Sequence, residues 1–88
     1  MDCYKIIWKS SAKKELKKLP QRIIKNIILN IEKLPLIPRP IGSKKLMGTK
    51  HTYRQRVGDY RVIYSIEKDQ LIIEIIRIGH RKDIYKNN

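Results

Sequence analysis

The run Tyr53-Arg54-Gln55-Arg56-Val57-Gly58-Asp59-Tyr60-Arg61-Val62-Ile63-Tyr64 constrains the fold more than any other part of the chain. Two alternating segments flank Gly58-Asp59, the signature of a β-hairpin with a two-residue loop. That loop places Val57 opposite Tyr60 and Arg56 opposite Arg61. Directly opposed residues share a sheet face, and Arg54 lies two positions from Arg56, so three guanidinium groups gather on one surface. Like charges opposed across strands are destabilising by a few tenths of a kcal/mol or so. A local rule broken in this way marks a functional surface, and a polyanion is the ligand that suits it.

Charge balance leads to the same expectation. The 88 residues carry 21 Lys+Arg against 8 Asp+Glu, a formal net charge of +13, which fits nucleic acid or an acidic protein partner. The length predicts one domain over residues 1–88, with a small core and no room for a deep cofactor pocket. No apolar run approaches the roughly 20 residues that cross a bilayer, and the N-terminus lacks a basic stretch followed by a long apolar one. A cytoplasmic protein without membrane contact is expected. Cys3 is the only cysteine; it reads as a small half-buried side chain in the first strand. Two histidines and one cysteine at these spacings build no metal site, and no cofactor is expected.

Along the chain, Tyr4 to Trp8 is β-prone, and Ser10-Ser11 offers an N-cap for a helix through Lys18 with Ala12, Leu16 and Leu19 as its apolar stripe. Pro20 suits the first turn of a second helix, in which Ile23, Ile24, Ile27, Ile28, Ile31 and Leu34 recur at helical spacing. Pro35, Pro38 and Pro40 stop it and impose an extended connector through about Ser43. After the basic segment from Lys44 to Lys50 come strands at about 52–57, 60–67 and 70–78, the last two joined near Lys68-Asp69. The last is apolar on both faces, as a central strand should be. The predicted class is α+β, in the order β-α-α-β-β-β, with two N-terminal helices packed on one face of an antiparallel sheet.

With the simplest register at Lys68-Asp69, Tyr53, Val57, Tyr60, Val62, Tyr64, Ile66, Leu71, Ile73 and Ile75 share the helix side. Arg54, Arg56 and Arg61 then share the other face, with Ile63, Ile72 and Ile76 as an apolar floor. A basic cleft with such a floor suits a nucleotide, whose phosphate needs charge and whose base needs a flat contact.

The C-terminal run from Ile78 to Tyr85 supplies an imidazole, a guanidinium and a phenol within six residues. RNA cleavage without a metal needs a base for the ribose 2′-hydroxyl proton, cations for the pentavalent phosphorane and an acid for the departing 5′-oxygen. An unperturbed imidazole titrates near neutrality, so His80 fits acid or base; it fits equally a strand-end histidine held by a backbone carbonyl. Arg61 and Arg81 suit phosphate binding and charge stabilisation, and an arginine makes a poor base. Tyr85 can stack on a base or orient a hydroxyl. Lys45, Lys50 and Lys82 add phosphate-binding charge. His51 is a further candidate base or a solvated side chain. Lys13, Lys14, Lys17 and Lys18 read as a solvated helix face able to grip RNA as well. Trp8 reads as packing, and Arg77 as a structural residue whose natural carboxylate is Glu74.

The hairpin motif, together with Arg77-Ile78-Gly79-His80-Arg81-Lys82-Asp83-Ile84-Tyr85 and the Lys45-Leu46-x-Gly48 segment, resembles the RelE branch of the RelE/ParE toxin superfamily over nearly the whole chain. The resemblance implies a toxin held inactive by a RelB-like antitoxin that wraps it. It further implies cleavage of messenger RNA in the A site of a 70S-type ribosome, by 2′-hydroxyl attack that leaves a 2′,3′-cyclic phosphate. By position, Arg54 and Arg56 match the basic pair before the turn, Arg61 the phosphate-stabilising arginine, Arg81 the second catalytic arginine and Tyr85 the C-terminal tyrosine. The family pattern has lysines where this chain has Arg54 and Arg56, and some relatives use histidine where His80 stands. Operator DNA is expected to be met only through the antitoxin complex. A ParE-type inhibitor of DNA gyrase and an inactive basic binding module are the other classes this sequence admits.

Overall fold

A computed structural model describes residues 3–84. The chain runs β1 (Lys5–Trp8), α1 (Ser10–Lys17), α2 (Gln21–Glu32), β2 (Lys44–Lys45), β3 (Thr52–Val57), β4 (Tyr60–Glu67) and β5 (Ile72–His80). The five strands form one sheet in the order β1-β5-β4-β3-β2. The α+β class stands as expected, but the β-α-α-β-β-β order gains one strand, the two-residue β2 within the basic segment, and the sheet is mixed and not antiparallel throughout: β1 runs parallel to β5, while the other pairs are antiparallel. A tight turn dictates an antiparallel partner; β1 and β5 are joined by most of the chain, so nothing local sets their direction.

The helix starts differ slightly from expectation. Ser10 is the first residue of α1 and Lys9 its cap, with no side-chain cap bond. Lys14 and Lys17 in its last turn oppose the negative end of the helix dipole. Pro20 caps α2, whose Ile27 and Ile31 are buried, with Ile23 packed beside them. Ala12, Ile27, Ile31 and Leu34 meet Val62, Tyr64, Ile66, Ile73, Ile75 and Ile78 in a single core between the helices and one sheet face. The proline connector is strapped onto this core by the Tyr64 hydroxyl, which donates to the Pro38 carbonyl at 2.7 Å. Burial pushes the Tyr64 phenol up to about 12.

The hairpin has the expected register, Arg56 opposite Arg61 and Val57 opposite Tyr60. Gly58 at φ 61° and no positive φ at Asp59 match the first position of a type II′ turn. The next connection is longer than expected. Glu67 pairs with Ile72, so the loop takes residues 68–71, and Leu71 leaves the sheet at φ 56°. Its carbonyl accepts the Lys5 N–H at 2.7 Å, where β1 joins β5. Cys3 lies ahead of β1 and is exposed, not half-buried within a strand.

A β-bulge interrupts β5. Ile63 pairs with Arg77 and Tyr64 with Ile75, so Ile76 is an extra residue. Before it the odd positions Ile73 and Ile75 face the helices; after it the even positions Ile78 and His80 do. Bulges redirect side chains in this way.

Candidate nucleic-acid interface

The sheet face away from the helices gathers the arginines by strand alternation. Arg54 and Arg56 project there from β3, Arg61 and Ile63 from β4, and Lys44 joins them by pairing with Arg54 across β2 and β3. Gly42, Lys44, Arg54 and Arg56 border a cleft of about 180 Å³ on this face. Arg56 is exposed and Arg54 half-buried.

Arg61 is different: it is 4% exposed. Its Nη1 donates to the carbonyls of Gly58 at 3.1 Å and Tyr60 at 2.9 Å, while Nε is buried without a partner. Among the described residues no carboxylate pairs with it. A buried cation lacking a counter-ion is expensive, so a protein that keeps one has use for an anion there.

Arg81 arrives at the same turn from the far end of β5. Its backbone N–H donates to the Asp59 carbonyl at 2.8 Å, and its Nε lies 3.8 Å from Asp59 Oδ1. Both side chains of that ion pair are more than half exposed, so solvent leaves the Arg81 guanidinium free to exchange Asp59 for a phosphate. Opposite Arg61 stands Gly79. A Cβ there would meet Ile84 Cδ1 at 3.2 Å, so the missing side chain lets the buried Ile84 close against the strand.

The structure therefore brings Arg54, Arg56, Arg61 and Arg81 to one face and one turn, with the exposed Lys82 adjoining Arg81 in sequence. Three other candidates lie elsewhere. His80 pairs with Tyr60 on the helix side, their rings edge-on at 5.3 Å. Its Nδ1 accepts the Lys82 N–H at 3.1 Å, which leaves the proton of the neutral ring on Nε2. Lys45 pairs with Tyr53 and so points away from the arginines. Lys50 borders a separate cavity of about 320 Å³ with His51, Glu67, Lys68 and Asp69; the six-residue run back from Arg56 spans roughly 20 Å. Tyr85 lies outside the described residues.

Two residues of this region were not singled out from sequence. Lys44 carries no sequence signal, because a two-residue strand has no readable alternation. Glu15 is the carboxylate that Arg77 meets, in place of Glu74: Arg77 Nη2 and Glu15 Oε2 are 3.1 Å apart. Its isolation as the sole acid among the lysines of α1 was the available signal.

This architecture is that of a small toxin fold. The crystal structure of the archaeal RelE-RelB complex from Pyrococcus horikoshii OT3 contains a chain that matches with a TM-score of 0.81 at 30% identity, covering 92% of this chain and 98% of that one. In sequence the chain is 30% identical over 84 residues to Toxin RelG of Mycobacterium tuberculosis, covering 94% of this chain and 97% of RelG. It is 35% identical over 85 residues to Toxin RelE3 of Methanocaldococcus jannaschii, covering 92% and 94%. Residues 6–85 match the family of the ParE toxin of type II toxin-antitoxin system, parDE. The chain belongs to the RelE/ParE toxin superfamily, on its RelE side.

Proposed function

We propose that this chain is the toxin of a type II toxin-antitoxin pair and acts as a metal-independent, ribosome-dependent endoribonuclease on messenger RNA in the A site. The observation that carries the reading is Arg61, a buried guanidinium with an unpartnered Nε and, among the described residues, no carboxylate partner, flanked by Arg56 across the hairpin and Arg81 at the turn. In the reaction the 2′-oxygen loses its proton and bonds to phosphorus, the bond from phosphorus to the 5′-oxygen breaks, and the leaving oxygen takes a proton. Arg61 and Arg81 stabilise the phosphorane charge, while Arg54, Arg56 and Lys82 hold neighbouring phosphates. Arginines take no proton at neutral pH, so this face works by positioning and electrostatics. A substrate already oriented by the ribosome complements such a site. Lys45, Lys50 and the lysines of α1 lie off the arginine face and fit ribosomal RNA contacts; His80 lies on the helix side beside Tyr60, and a role for Tyr85 rests on the family resemblance alone.

A RelB-like antitoxin is the partner this reading implies, by likeness to the RelE-RelB complex of Pyrococcus horikoshii; a net charge of +13 favours fast capture of an acidic segment. Operator DNA is met through that complex, in the cytoplasm. Among the described residues no helix is long and apolar enough to cross a membrane.

Purified protein added to messenger RNA with and without programmed ribosomes, followed by primer extension, tests the nuclease reading. Cuts inside the A-site codon that need ribosomes support it; intact RNA in both samples defeats it. One finding favours a second reading, inhibition of DNA gyrase: the matching family bears the ParE name. Loss of gyrase supercoiling in the presence of this protein, with RNA untouched, is the outcome that reading requires.

A further inference from the structure

Past the bulge, β5 loses its neighbour on one side. β1 pairs only with Ile72 to Ile75, and Lys9 N–H takes the Ile75 carbonyl, which leaves the Ile78 N–H turned toward α1. Glu15 fills this position: Oε1 accepts the Ile78 N–H at 2.9 Å and Oε2 lies 3.1 Å from Arg77 Nη2. The other end of the same guanidinium, Nη1, donates to the Ile84 carbonyl at 3.1 Å. Ile84 closes the turn that carries Arg81, because the N–H groups of Asp83 and Ile84 both donate to the His80 carbonyl, at 2.8 and 2.9 Å.

A continuous set of bonds thus runs from α1 through Glu15, Arg77 and Ile84 to the segment that holds Arg81 against Asp59. Only a planar fork spans it. Arg77 must reach a carboxylate and a carbonyl in two directions at once, which an ammonium group does poorly. The pair is about one-third exposed on each side, where a simple ion pair adds little to stability. Its geometry has a use that its stability contribution does not explain.

We propose that Glu15 and Arg77 are positioning residues: together they fix the 80–84 turn so that the Arg81 guanidinium stands beside Arg61 at the Gly58-Asp59 turn. The inference rests on the nuclease reading for its catalytic consequence, though the joint itself has an independent readout. Displacement of a catalytic group by about 1 Å can reduce turnover on the order of a hundredfold.

The test compares wild type, Arg77→Met, Arg77→Lys and Glu15→Gln on programmed ribosomes, with amide hydrogen exchange measured on the same preparations. Arg77→Met should lower kcat about 10–100-fold with KM within about twofold, because orientation and not affinity is lost. The Asp83 and Ile84 amides should exchange faster while the β3 and β4 amides keep wild-type protection. Arg77→Lys retains charge without the fork and should recover only part of the turnover; Glu15→Gln, which still accepts the Ile78 N–H, should fall between. If Arg77→Met fails to fold, the other two variants carry the comparison. Wild-type kcat in the folded variants, or unchanged exchange at Asp83 and Ile84, would overturn the proposal. If the wild type itself leaves ribosome-bound RNA intact, the nuclease reading falls separately, and the exchange result alone decides whether the joint exists.

Discussion

The two faces of the sheet obey opposite rules. On the helix side, Ile27, Ile73, Ile75 and Tyr64 are fully buried and every neighbour supports the next. Across the sheet, within one strand spacing, Arg56 opposes Arg61, and among the described residues the more buried of the two meets no carboxylate. Apolar burial supplies the stability that the arginine face gives up, and a chain of this size can hold an unfavourable charge cluster only when it is backed by such a core. Stability and function are therefore separable in this protein by a choice of face.

The strongest way to break that separation is to damage the core. Ile27→Ala should remove about 2–5 kcal/mol by leaving a cavity under the sheet, and urea denaturation measures it. An equal loss from an arginine-face substitution would show that the faces are not distinct. Next in size, Arg61→Met should reduce RNA cleavage about 10²–10³-fold, as removal of one preorganised donor does. Thermal melting of the same variant should be unchanged or higher, because a buried cation that meets no carboxylate among the described residues has been replaced by a shorter apolar chain. A clear fall in melting temperature would show that Arg61 is a structural residue.

Much of this division can be read from the sequence. Gly58-Asp59 sets the hairpin register locally, so alternation places Arg54, Arg56 and Arg61 together, and the isoleucine spacing of α2 marks the buried helix. What escapes is non-local. The parallel pairing of β1 depends on a partner at the other end of the chain, and the contact of Arg77 with Glu15 spans 62 positions. Sequence proximity to Arg81 groups His80 with the arginines, yet a single extra residue in β5 turns it to the helix side. Leu71 reads as a strand residue by composition, but the loop takes it to complete the junction with β1.

A smaller effect sharpens the comparison from the core side. The Tyr64 phenol is pushed from its ordinary 10.0 up to about 12 by burial. The folded state therefore holds this proton more tightly than the unfolded chain, and the associated stability is fully present below pH 10 and is lost as pH rises through 12. Tyr64→Phe should cost about 1 kcal/mol near neutrality through the lost bond to Pro38. Its denaturation midpoint should then fall less steeply than that of wild type between pH 10 and 12. Parallel pH profiles for the two proteins would show that Tyr64 does not titrate with unfolding.

The bulge at Ile76 is, in informational terms, a phase shift in a two-state alternating code. Upstream and downstream of it the same parity of residue number means opposite sides of the molecule, so one added amino acid decides whether Gly79 or His80 looks at Arg61. Insertions and deletions at this point in β5 are thus a different kind of change from those in the 68–71 loop: a one-residue slip would exchange the chemical neighbour of Arg61 while leaving the composition of the strand almost untouched.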